Sequence, residues 1–374
     1  MSTALPDPVG VISRQAKRVR IVDIARQANV SRATASKVLL GTGGANTRVG
    51  KETARRVREV AAQFDYRPSL AAQTLAGKRT RVIGVVVDVA AGSSATRQLQ
   101  AIDRMCTQRG FRLLVGYVHN NLGKISEFAD DFYGREVEGV LCMAHHYPQF
   151  GDRVVKLFER FPNCVFMPAP IVDADVSYVS VDFRQLSYLA ASHLLRQGRR
   201  RIVMIRRKGR PQHIRTQQWD DGFMAAYGEI GRPCNKSDQF VFADRSLIDR
   251  PRITRQCVDE ILDRGADGVI TTNETSAMWL MGELRRRGVR VPDDVALVSC
   301  QREPIGWASD VRLTSIDRRD TKIARLAIRC LLDHIELPAD APRPREHFVV
   351  APRLVVGESC GASTPSPLPA KDRT

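Results

Sequence analysis

Two adjacent residues near the start of the chain, Arg32 and Ala33, carry side chains that can distinguish DNA bases. An arginine can donate two hydrogen bonds to O6 and N7 of guanine, and an alanine methyl group can pack against the methyl group of thymine. Lys37 lies on the same side of a helix, about one turn further on. We therefore expect these three residues to contact base edges. Three neighbouring hydroxyl residues are expected to bind phosphates or to hold the local fold: Ser31, Thr34 and Ser36.

The surrounding sequence predicts the elements that would position these side chains. Apolar residues at helical spacing indicate a first helix, and Asn29 then introduces a residue that tolerates the left-handed conformation of a tight turn. Ser31 can cap a second helix by accepting a backbone N–H. A helix-turn-helix places the start of its second helix in the DNA major groove. The expected buried residues are Ile21, Ile24, Ala25 and Ala28 on the first helix and Ala35, Val38 and Leu39 on the second.

A third helix, Lys51 to Phe64, is expected to close this small core, because two short helices bury little surface alone. Its predicted buried stripe is Val57, Val60, Ala61 and Phe64. The Gly-rich segment from Leu40 to Gly50 is predicted to be a flexible turn, since no Gly-Lys-Ser/Thr follows it as in a phosphate-binding loop. A three-helix surface module that binds no nucleic acid has the same spacing, so the spacing alone leaves that alternative open.

Positive charge is concentrated in the same part of the chain. The protein has a formal charge of +17, and residues 1–80 contain 15 Lys and Arg against 5 Asp and Glu. Such a basic module is the electrostatic footprint of a phosphate-binding surface, and its binding to DNA should weaken steeply with salt. Residues 1–19 are expected to be a disordered lead with a basic end.

The whole chain has the size and composition of a multidomain globular protein. Its 374 residues, 43% of them hydrophobic, are enough for two or three domains. We find no apolar run long enough to cross a membrane and no signal peptide, so we expect a cytoplasmic protein with no membrane partner. Eight scattered cysteines without a C-x-x-C pair are expected to be reduced and mostly buried.

From Arg81 onward, near-continuous apolar strands alternate with helices, a pattern typical of parallel α/β sheets. The strands are too many for one compact sheet. We therefore predict, for residues 81–362, two doubly wound parallel-sheet subdomains joined by crossover strands. The Pro- and Ser-rich residues 363–374 are expected to be disordered, and they contain no heptads. Oligomerisation is therefore expected to stop at a homodimer formed through the core.

Two strings in the first part of the chain resemble the lac-repressor (LacI/GalR-type) family of bacterial transcription regulators. The family's headpiece pattern V-S-x-x-T-x-S-x-V-L is matched between Val30 and Leu39. Its pattern Y-x-P-N-x-x-A-x-x-L is matched by Tyr66, Pro68, Ala72 and Leu75. The resemblance covers Arg20 to Cys360. It implies an all-α helix-turn-helix headpiece at residues 20–64, a hinge linker at 65–80 and a core similar to periplasmic sugar-binding proteins.

The resemblance also implies a role for the linker. Ser69 to Ala76 would be a short hinge helix that orders when two copies meet over DNA, bringing Ala72 and Leu75 to the minor groove. Leu75 would then wedge into a base step and bend the duplex. Packing of Leu75 against its own headpiece is the alternative.

In the core, the resemblance implies a ligand cleft between two lobes, but with altered contacts. The family commonly has an Arg where this chain has Trp219, and an Asp where it has Gln301. Both family residues hold effector hydroxyls. Trp219 therefore fits either a ligand-stacking wall or a core aromatic. The expected effector contacts are Phe183, Arg215, Trp219, Asn273 and Gln301.

A basic run near the expected cleft mouth leaves the class of effector open. Arginine and lysine suit anions, and arginine can grip phosphate or carboxylate with two parallel hydrogen bonds. A solvated loop has the same composition. We therefore expect either a sugar-like or an anionic effector. The run consists of Arg206, Arg207, Lys208, Arg210 and Arg215.

No catalytic or metal-binding constellation is evident. His145 and His146 have no Cys or His partner at metal-ligand spacing, and Cys300 has no histidine patterned to activate it. We therefore predict no catalytic residues, no metal and no cofactor, and a protein that is not an enzyme.

Together these features predict a dimeric transcriptional regulator, in the first place a repressor, that binds a near-palindromic double-stranded DNA operator under control of a small-molecule effector. One alternative is a regulator whose core senses no ligand, or an anion. The other is a solute-binding protein or an enzyme with an incidental headpiece. The missing export signal argues against a solute-binding protein. The missing set of reactive residues argues against an enzyme.

Overall fold

The computed structural model describes residues 19–41, 48–68, 70–89, 92–147, 149–170, 172–207, 214–232, 234, 240–243 and 250–362. The chain divides into two compact units, Met1–Thr80 and Arg81–Thr374. Apart from Val19, the predicted lead at residues 1–19 lies outside the described residues, and so does the predicted tail at 363–374.

The first unit is helical. Its helices are α1 (Ile21–Gln27), α2 (Arg32–Leu40), α3 (Lys51–Gln63) and α4 (Leu70–Leu75). The first three pack around one small apolar core, because each presents alanine or a branched aliphatic residue at helical spacing. That core consists of Ile24, Ala25, Ala28, Ala35, Val57, Val60 and Ala61.

Two residues of this unit depart from the expectations. Leu40 was expected to begin the loop, but it is the last residue of α2 and is buried, because the helix ends only at Gly41 in a left-handed conformation (φ 78°). Phe64 was expected in the buried stripe, but it is 44% exposed. The chain turns just after it, at Asp65 (φ 43°), and Tyr66 packs partly buried against the core instead.

The described part of the hinge helix ends one residue earlier than expected. It spans Leu70–Leu75, whereas we expected Ser69 to Ala76, and Ser69 lies outside the described residues. A helix of this length is marginal without a packing partner.

The second unit is an α/β core built on two six-stranded sheets. Its strands are β1 (Val82–Asp88), β2 (Arg112–Val118), β3 (Gly139–Met143), β4 (Cys164–Phe166), β5 (Ser177–Val181), β6 (Ile202–Arg207), β7 (Phe240–Ala243), β8 (Gly268–Thr271), β9 (Ala296–Ser299), β10 (Thr314–Asp317), β11 (His347–Val350) and β12 (Arg353–Val355). Its helices are α5 (Gly92–Gln108), α6 (Leu122–Gly134), α7 (Gly151–Glu159), α8 (Phe183–Arg196), α9 (Ile214–Glu229), α10 (Arg250–Asp263), α11 (Glu274–Arg286) and α12 (Asp320–Glu336).

The strand order defines two lobes. The sheet of the first lobe runs β11-β5-β4-β3-β1-β2, and that of the second runs β12-β10-β9-β8-β6-β7. All pairings are parallel except that of β10 with β12. The chain crosses between the lobes three times, after β5, after β10 and after β11. This is the expected pair of doubly wound subdomains with crossover strands.

Close packing of α8 against α9 fixes one wall of the second lobe. A Cβ atom at Gly222 would overlap the backbone carbonyl oxygen of Arg184, so only glycine permits this approach. Trp219 lies one turn earlier on the same face of α9. Because the helices are close at Gly222, Trp219 also lies near Phe183 at the start of α8, and the two ring centroids are 6.3 Å apart.

No helix among the described residues is both long and apolar enough to cross a membrane.

Candidate DNA-binding surface and ligand cleft

The turn between α1 and α2 has the geometry that its residues favour. Asn29 adopts a left-handed conformation with φ 51°, and Val30 N–H donates to the Ala25 carbonyl at 3.0 Å. Ser31 then caps α2, because its hydroxyl oxygen accepts the Thr34 backbone N–H at 3.1 Å. The hydroxyl groups of Ser31 and Thr34 are 2.9 Å apart. These bonds set the direction in which α2 leaves the turn.

The first residues of α2 form an exposed surface. Arg32 and Ala33 are exposed, whereas Ser36 and Lys37 are partly buried. Within the part of the chain that the structure describes, Arg32 makes no hydrogen bond or ion pair, so its guanidinium is available to an external acceptor. Arg55 on α3 differs, because Glu52 and Glu59 both pair with it. The surface at the start of α2 is thus the part of the headpiece suited to base contacts.

Helix α4 presents an apolar side chain to solvent. Leu75 is 90% exposed, which leaves little of it packed against its own headpiece. Ala72, one turn earlier, is partly buried. The side-chain amide of Gln73 donates to the Pro68 carbonyl at 3.2 Å and ties the helix to the preceding segment. Gly77 ends the segment in a left-handed conformation.

A buried polar contact joins the two lobes of the core. Ser93, at the start of α5 in the first lobe, donates its hydroxyl to Glu303 of the second lobe at 2.7 Å. The side-chain amide of Gln301 donates to the same carboxylate at 3.0 Å and lies 3.2 Å from the Ser93 hydroxyl. Thr275 donates to the other carboxylate oxygen at 3.2 Å. Gln301 is a predicted effector contact, but its side-chain amide is hydrogen-bonded to other residues of the protein.

A second polar cluster lies where the chain crosses from β10 to α12. Asp320 accepts hydrogen bonds from Ser94 at 2.6 Å, Arg97 at 2.6 Å and Gln98 at 3.2 Å. All three donors are on α5. The buried Asp320 carboxylate is thus neutralised by Arg97 and held against α5.

The other predicted cleft residues of the second lobe lie near the carboxyl ends of its strands. Asn273 caps α11 by accepting the Ser276 N–H at 2.8 Å. Trp219 is buried in the core, and the guanidinium of Arg318 lies 5.9 Å from its ring centroid. Burial lowers the pKa of Arg318, and the nearby Asp320 carboxylate opposes that shift. Arg318 also donates to the Cys300 carbonyl at 2.9 Å.

Arg215 belongs to α9, but its side chain lies outside the described residues, as do those of the rest of the predicted basic run. His145 lies in the irregular segment after β3 and is buried there, with its Nε2 3.4 Å from the Ala169 carbonyl oxygen.

Six polar residues that join the lobes or lie beside the cleft were not predicted from the sequence. For those on α5, the Ser-Ser-x-x-Arg run from Ser93 to Arg97 at the start of a helix was a usable signal. The missed residues are Ser93, Ser94, Arg97, Glu303, Arg318 and Asp320.

Glu274, beside the cleft, is an unusual buried acid at the start of α11. Its Oε2 accepts the Gly306 N–H at 2.9 Å, and the side chain is fully buried. Burial raises the pKa of Glu274 to about 7, although nearby hydrogen bonds oppose the shift. The segment that carries Glu303 is therefore anchored to an acid that titrates near neutrality.

Comparison with protein families gives two matches. Residues 20–69 match the family described as "Bacterial regulatory proteins, lacI family", and residues 191–360 match the "Periplasmic binding protein-like domain". The HTH-type transcriptional regulator pepR1 of Lactobacillus delbrueckii subsp. lactis is 23% identical over 355 residues, covering 91% of this chain and 97% of the relative. The HTH-type transcriptional repressor PurR of Mannheimia succiniciproducens is 24% identical over 342 residues, covering 91% and 98%.

Solved structures share the fold across the same length. The lac repressor dimer bound to operator and the anti-inducer ONPF has a TM-score of 0.76 at 19% identity, covering 92% of this chain and all of that one. The CelR–cellobiose complex has a TM-score of 0.65 at 22% identity, covering 91% and 100%. The chain therefore carries a headpiece of the lacI family of bacterial regulatory proteins and a periplasmic-binding-protein-like core, and is a DNA-binding transcriptional regulator rather than an enzyme.

Proposed function

We propose that the protein represses transcription by binding a near-palindromic operator as a homodimer, with one headpiece on each half-site. The observation that carries this proposal is the exposed start of α2, where Arg32 and Ala33 stand free beside the Ser31 cap. A two-fold dimer presents two copies of one reading surface, so its preferred site has two-fold symmetry. We propose that it does so in the cytoplasm, where a bacterial operator is found.

The short α4 would complete the DNA contact. Six residues form too short a helix to be stable alone, so two copies are expected to order together over the operator. The exposed Leu75 would then enter a minor-groove base step, where burial of its side chain offsets part of the cost of bending the duplex. Ala72 is small enough to allow close approach of the two helices.

The first lobe offers a surface for self-association. Its edge strand β2 pairs only with β1 among the described strands. A groove of about 460 Å³ runs between this edge and α5, lined by apolar residues such as Leu99, Leu113 and Val115. Tyr117, at the end of the groove, is 53% exposed. Apolar surface beside an open sheet edge supports a core-mediated dimer.

An effector bound between the lobes would compete with the contact from Ser93 to Glu303. Release or reinforcement of this contact changes lobe closure, and hence the population of dimers whose hinge segments are spaced for DNA. We propose a sugar-like or anionic effector, contacted by Phe183, Trp219, Asn273 and Gln301, with Arg215 at the mouth.

A core that senses no small molecule is the second candidate. The hydrogen bonds from Gln301 to Ser93 and Glu303 favour this candidate, because they already use the donors of the side-chain amide. Titration calorimetry against neutral sugars and sugar phosphates separates the two. Binding of neutral sugars alone would exclude the anionic effector, and no heat with either class would favour the insensitive core.

DNA binding is tested by gel shift with the protein's own upstream DNA at low and high salt. We expect a discrete site and a strong salt dependence. Arg32→Ala should weaken binding by roughly 1–3 kcal/mol, as for the loss of one bidentate base contact. Arg55→Ala is the matched control, because Glu52 and Glu59 already neutralise Arg55. Equal affinity for random DNA and no effect of Arg32→Ala would refute the proposal.

A further inference from the structure

Three potential metal ligands meet inside the first lobe, away from the cleft. They are Cys330 and His334 on α12 and Glu346, one residue before β11. Their ligand atoms all lie within 4.8 Å of one another. The distance from Cys330 Sγ to His334 Nε2 is 3.8 Å, and that from His334 Nε2 to Glu346 Oε2 is 3.4 Å. Among the described residues this is the one such group of three.

The two distances to His334 Nε2 are close to those between ligands of a single tetrahedral zinc ion. With a Zn–S bond of about 2.3 Å and Zn–N and Zn–O bonds of about 2.0–2.1 Å, tetrahedral angles separate sulfur from nitrogen by roughly 3.5 Å and nitrogen from oxygen by roughly 3.3 Å. The two observed separations differ from these values by a few tenths of an ångström. We propose that Cys330, His334 and Glu346 form a zinc-binding site, with a water molecule as the fourth ligand.

The backbone holds the three side chains in place. Cys330 and His334 are four residues apart on α12, so both project from one face of the helix. Glu346 is fixed by two hydrogen bonds with β5: its N–H donates to the Ser177 hydroxyl at 3.2 Å, and its carbonyl accepts the Tyr178 N–H at 2.9 Å. The ligands are therefore brought together by the fold itself, without any rearrangement of the chain.

The burial of the group fits a site with one open position. Cys330 and His334 are each 2% exposed, whereas the Glu346 side chain is 34% exposed. A zinc ion can therefore reach the group from the side of Glu346, and a water molecule can occupy the same side afterwards.

The protonation states are compatible with metal binding. Burial lowers the pKa of His334, which keeps the imidazole neutral, as a ligand must be. Burial and the Glu346 carboxylate raise the pKa of Cys330, so without metal the thiol retains its proton. On binding, a sulfur–zinc bond replaces the S–H bond and one proton leaves to solvent.

A bound zinc ion would fasten the end of α12 to β11. These two elements are separated by residues 337–346 and follow the second crossover between the lobes. Because the ion binds the folded lobe and cannot find the same ligand geometry in the unfolded chain, it should raise the thermal stability of the core.

The test uses the full-length chain without an affinity tag, stripped of metal by a chelator and titrated with zinc sulfate. We expect one zinc per chain and a higher melting temperature. Cys330→Ser should weaken binding by more than about 100-fold, because even residues behind the ligands contribute roughly 10–100-fold. Cobalt(II) should give the near-ultraviolet absorption of a thiolate complex in the wild-type chain and lose it in Cys330→Ser.

Two further variants distinguish loss of ligand from loss of folding. Glu346→Gln changes a partly exposed ligand without opening the core and should also weaken zinc binding. Cys257→Ser removes a buried thiol of the second lobe and should leave the affinity unchanged. Absence of stoichiometric zinc, or wild-type affinity in folded Cys330→Ser and Glu346→Gln, would overturn the site.

Discussion

The hydroxyl group of Ser93 donates a 2.7 Å hydrogen bond to the carboxylate of Glu303, and the two residues belong to opposite lobes of the core. The same carboxylate accepts hydrogen bonds from Gln301 and Thr275, both in the second lobe. Glu303 is itself buried. A carboxylate with three donors and little access to water is a specific latch between the lobes, since each hydrogen bond to a charged group contributes more than a neutral one.

Replacing Glu303 by glutamine should loosen this latch. The amide oxygen can still accept from Ser93 and Gln301, but the NH2 group then faces Thr275, which can no longer donate there, and the negative charge of the acceptor is lost. We expect a loss of about 1–2 kcal/mol, within the range for hydrogen bonds to charged groups. Amide hydrogen exchange at the start of α5, around Ser93, should become roughly tenfold faster. Glu336→Gln, at an exposed position, is the control. Unchanged exchange in Glu303→Gln would show that other contacts hold the lobes together.

Local patterns were enough to predict the helices of the headpiece. Asn29 and Ser31 act through bonds to residues three to five positions away, so their roles can be read directly from the sequence. Phe64 was misplaced because the turn at Asp65, which a helical periodicity does not reveal, removes it from the buried stripe. The alternation of apolar strands and helices likewise predicted two sheets with crossovers.

Contacts between distant residues could not be predicted in this way. Ser93 and Glu303 are 210 positions apart, and nothing in either local segment identifies the other. The same holds for Glu346, which meets Cys330 and His334 only because β11 returns to the first lobe. The Cys-x-x-x-His spacing on a helix was visible, but its third ligand was not.

Ser31 allows the two roles considered for it to be separated. Ser31→Ala removes the cap of α2 and should destabilise the headpiece by about 1 kcal/mol. Ser31→Asn can cap the helix again and should restore the stability, which amide exchange in α2 measures. We expect operator affinity to recover together with stability. Recovery of stability without recovery of affinity would instead assign the serine hydroxyl to a DNA phosphate.

Leu75 should matter for DNA binding and not for folding. Because its side chain is 90% exposed, Leu75→Ala should leave the melting temperature unchanged. Loss of the apolar surface that would be buried in the minor groove should weaken operator binding by about 1–2 kcal/mol. Gel shift measures the affinity, and a circular permutation assay measures the bend in the duplex. Ile230→Ala, at another exposed apolar residue, should change neither. Wild-type affinity in Leu75→Ala would contradict insertion of the side chain.

Glu274 should make the stability of the core depend on pH near neutrality. Its pKa is raised by burial from an ordinary 4.5 to about 7 in the folded chain, so the folded state binds this proton more tightly than the unfolded state. The free energy of unfolding should therefore fall as pH rises from about 4.5 to about 7, and stay low above that. The difference corresponds to roughly 3 kcal/mol. Glu274→Gln still accepts the Gly306 N–H but cannot ionise, so it should remove this part of the pH dependence.

Urea unfolding followed by tryptophan fluorescence is suited to this comparison. All three tryptophans, Trp219, Trp279 and Trp307, belong to the core, so the signal excludes the headpiece. Above pH 7, Glu274→Gln should be more stable than the wild-type chain, and the difference should shrink as pH falls towards about 4.5. Glu283 provides a control in which the stability should change with pH in the opposite direction, because the hydrogen bond from Arg286 lowers the pKa of Glu283. Glu283→Gln should therefore lose stability relative to the wild-type chain above pH 5. Parallel curves for Glu274→Gln and wild type would mean that Glu274 is already ionised in the folded core.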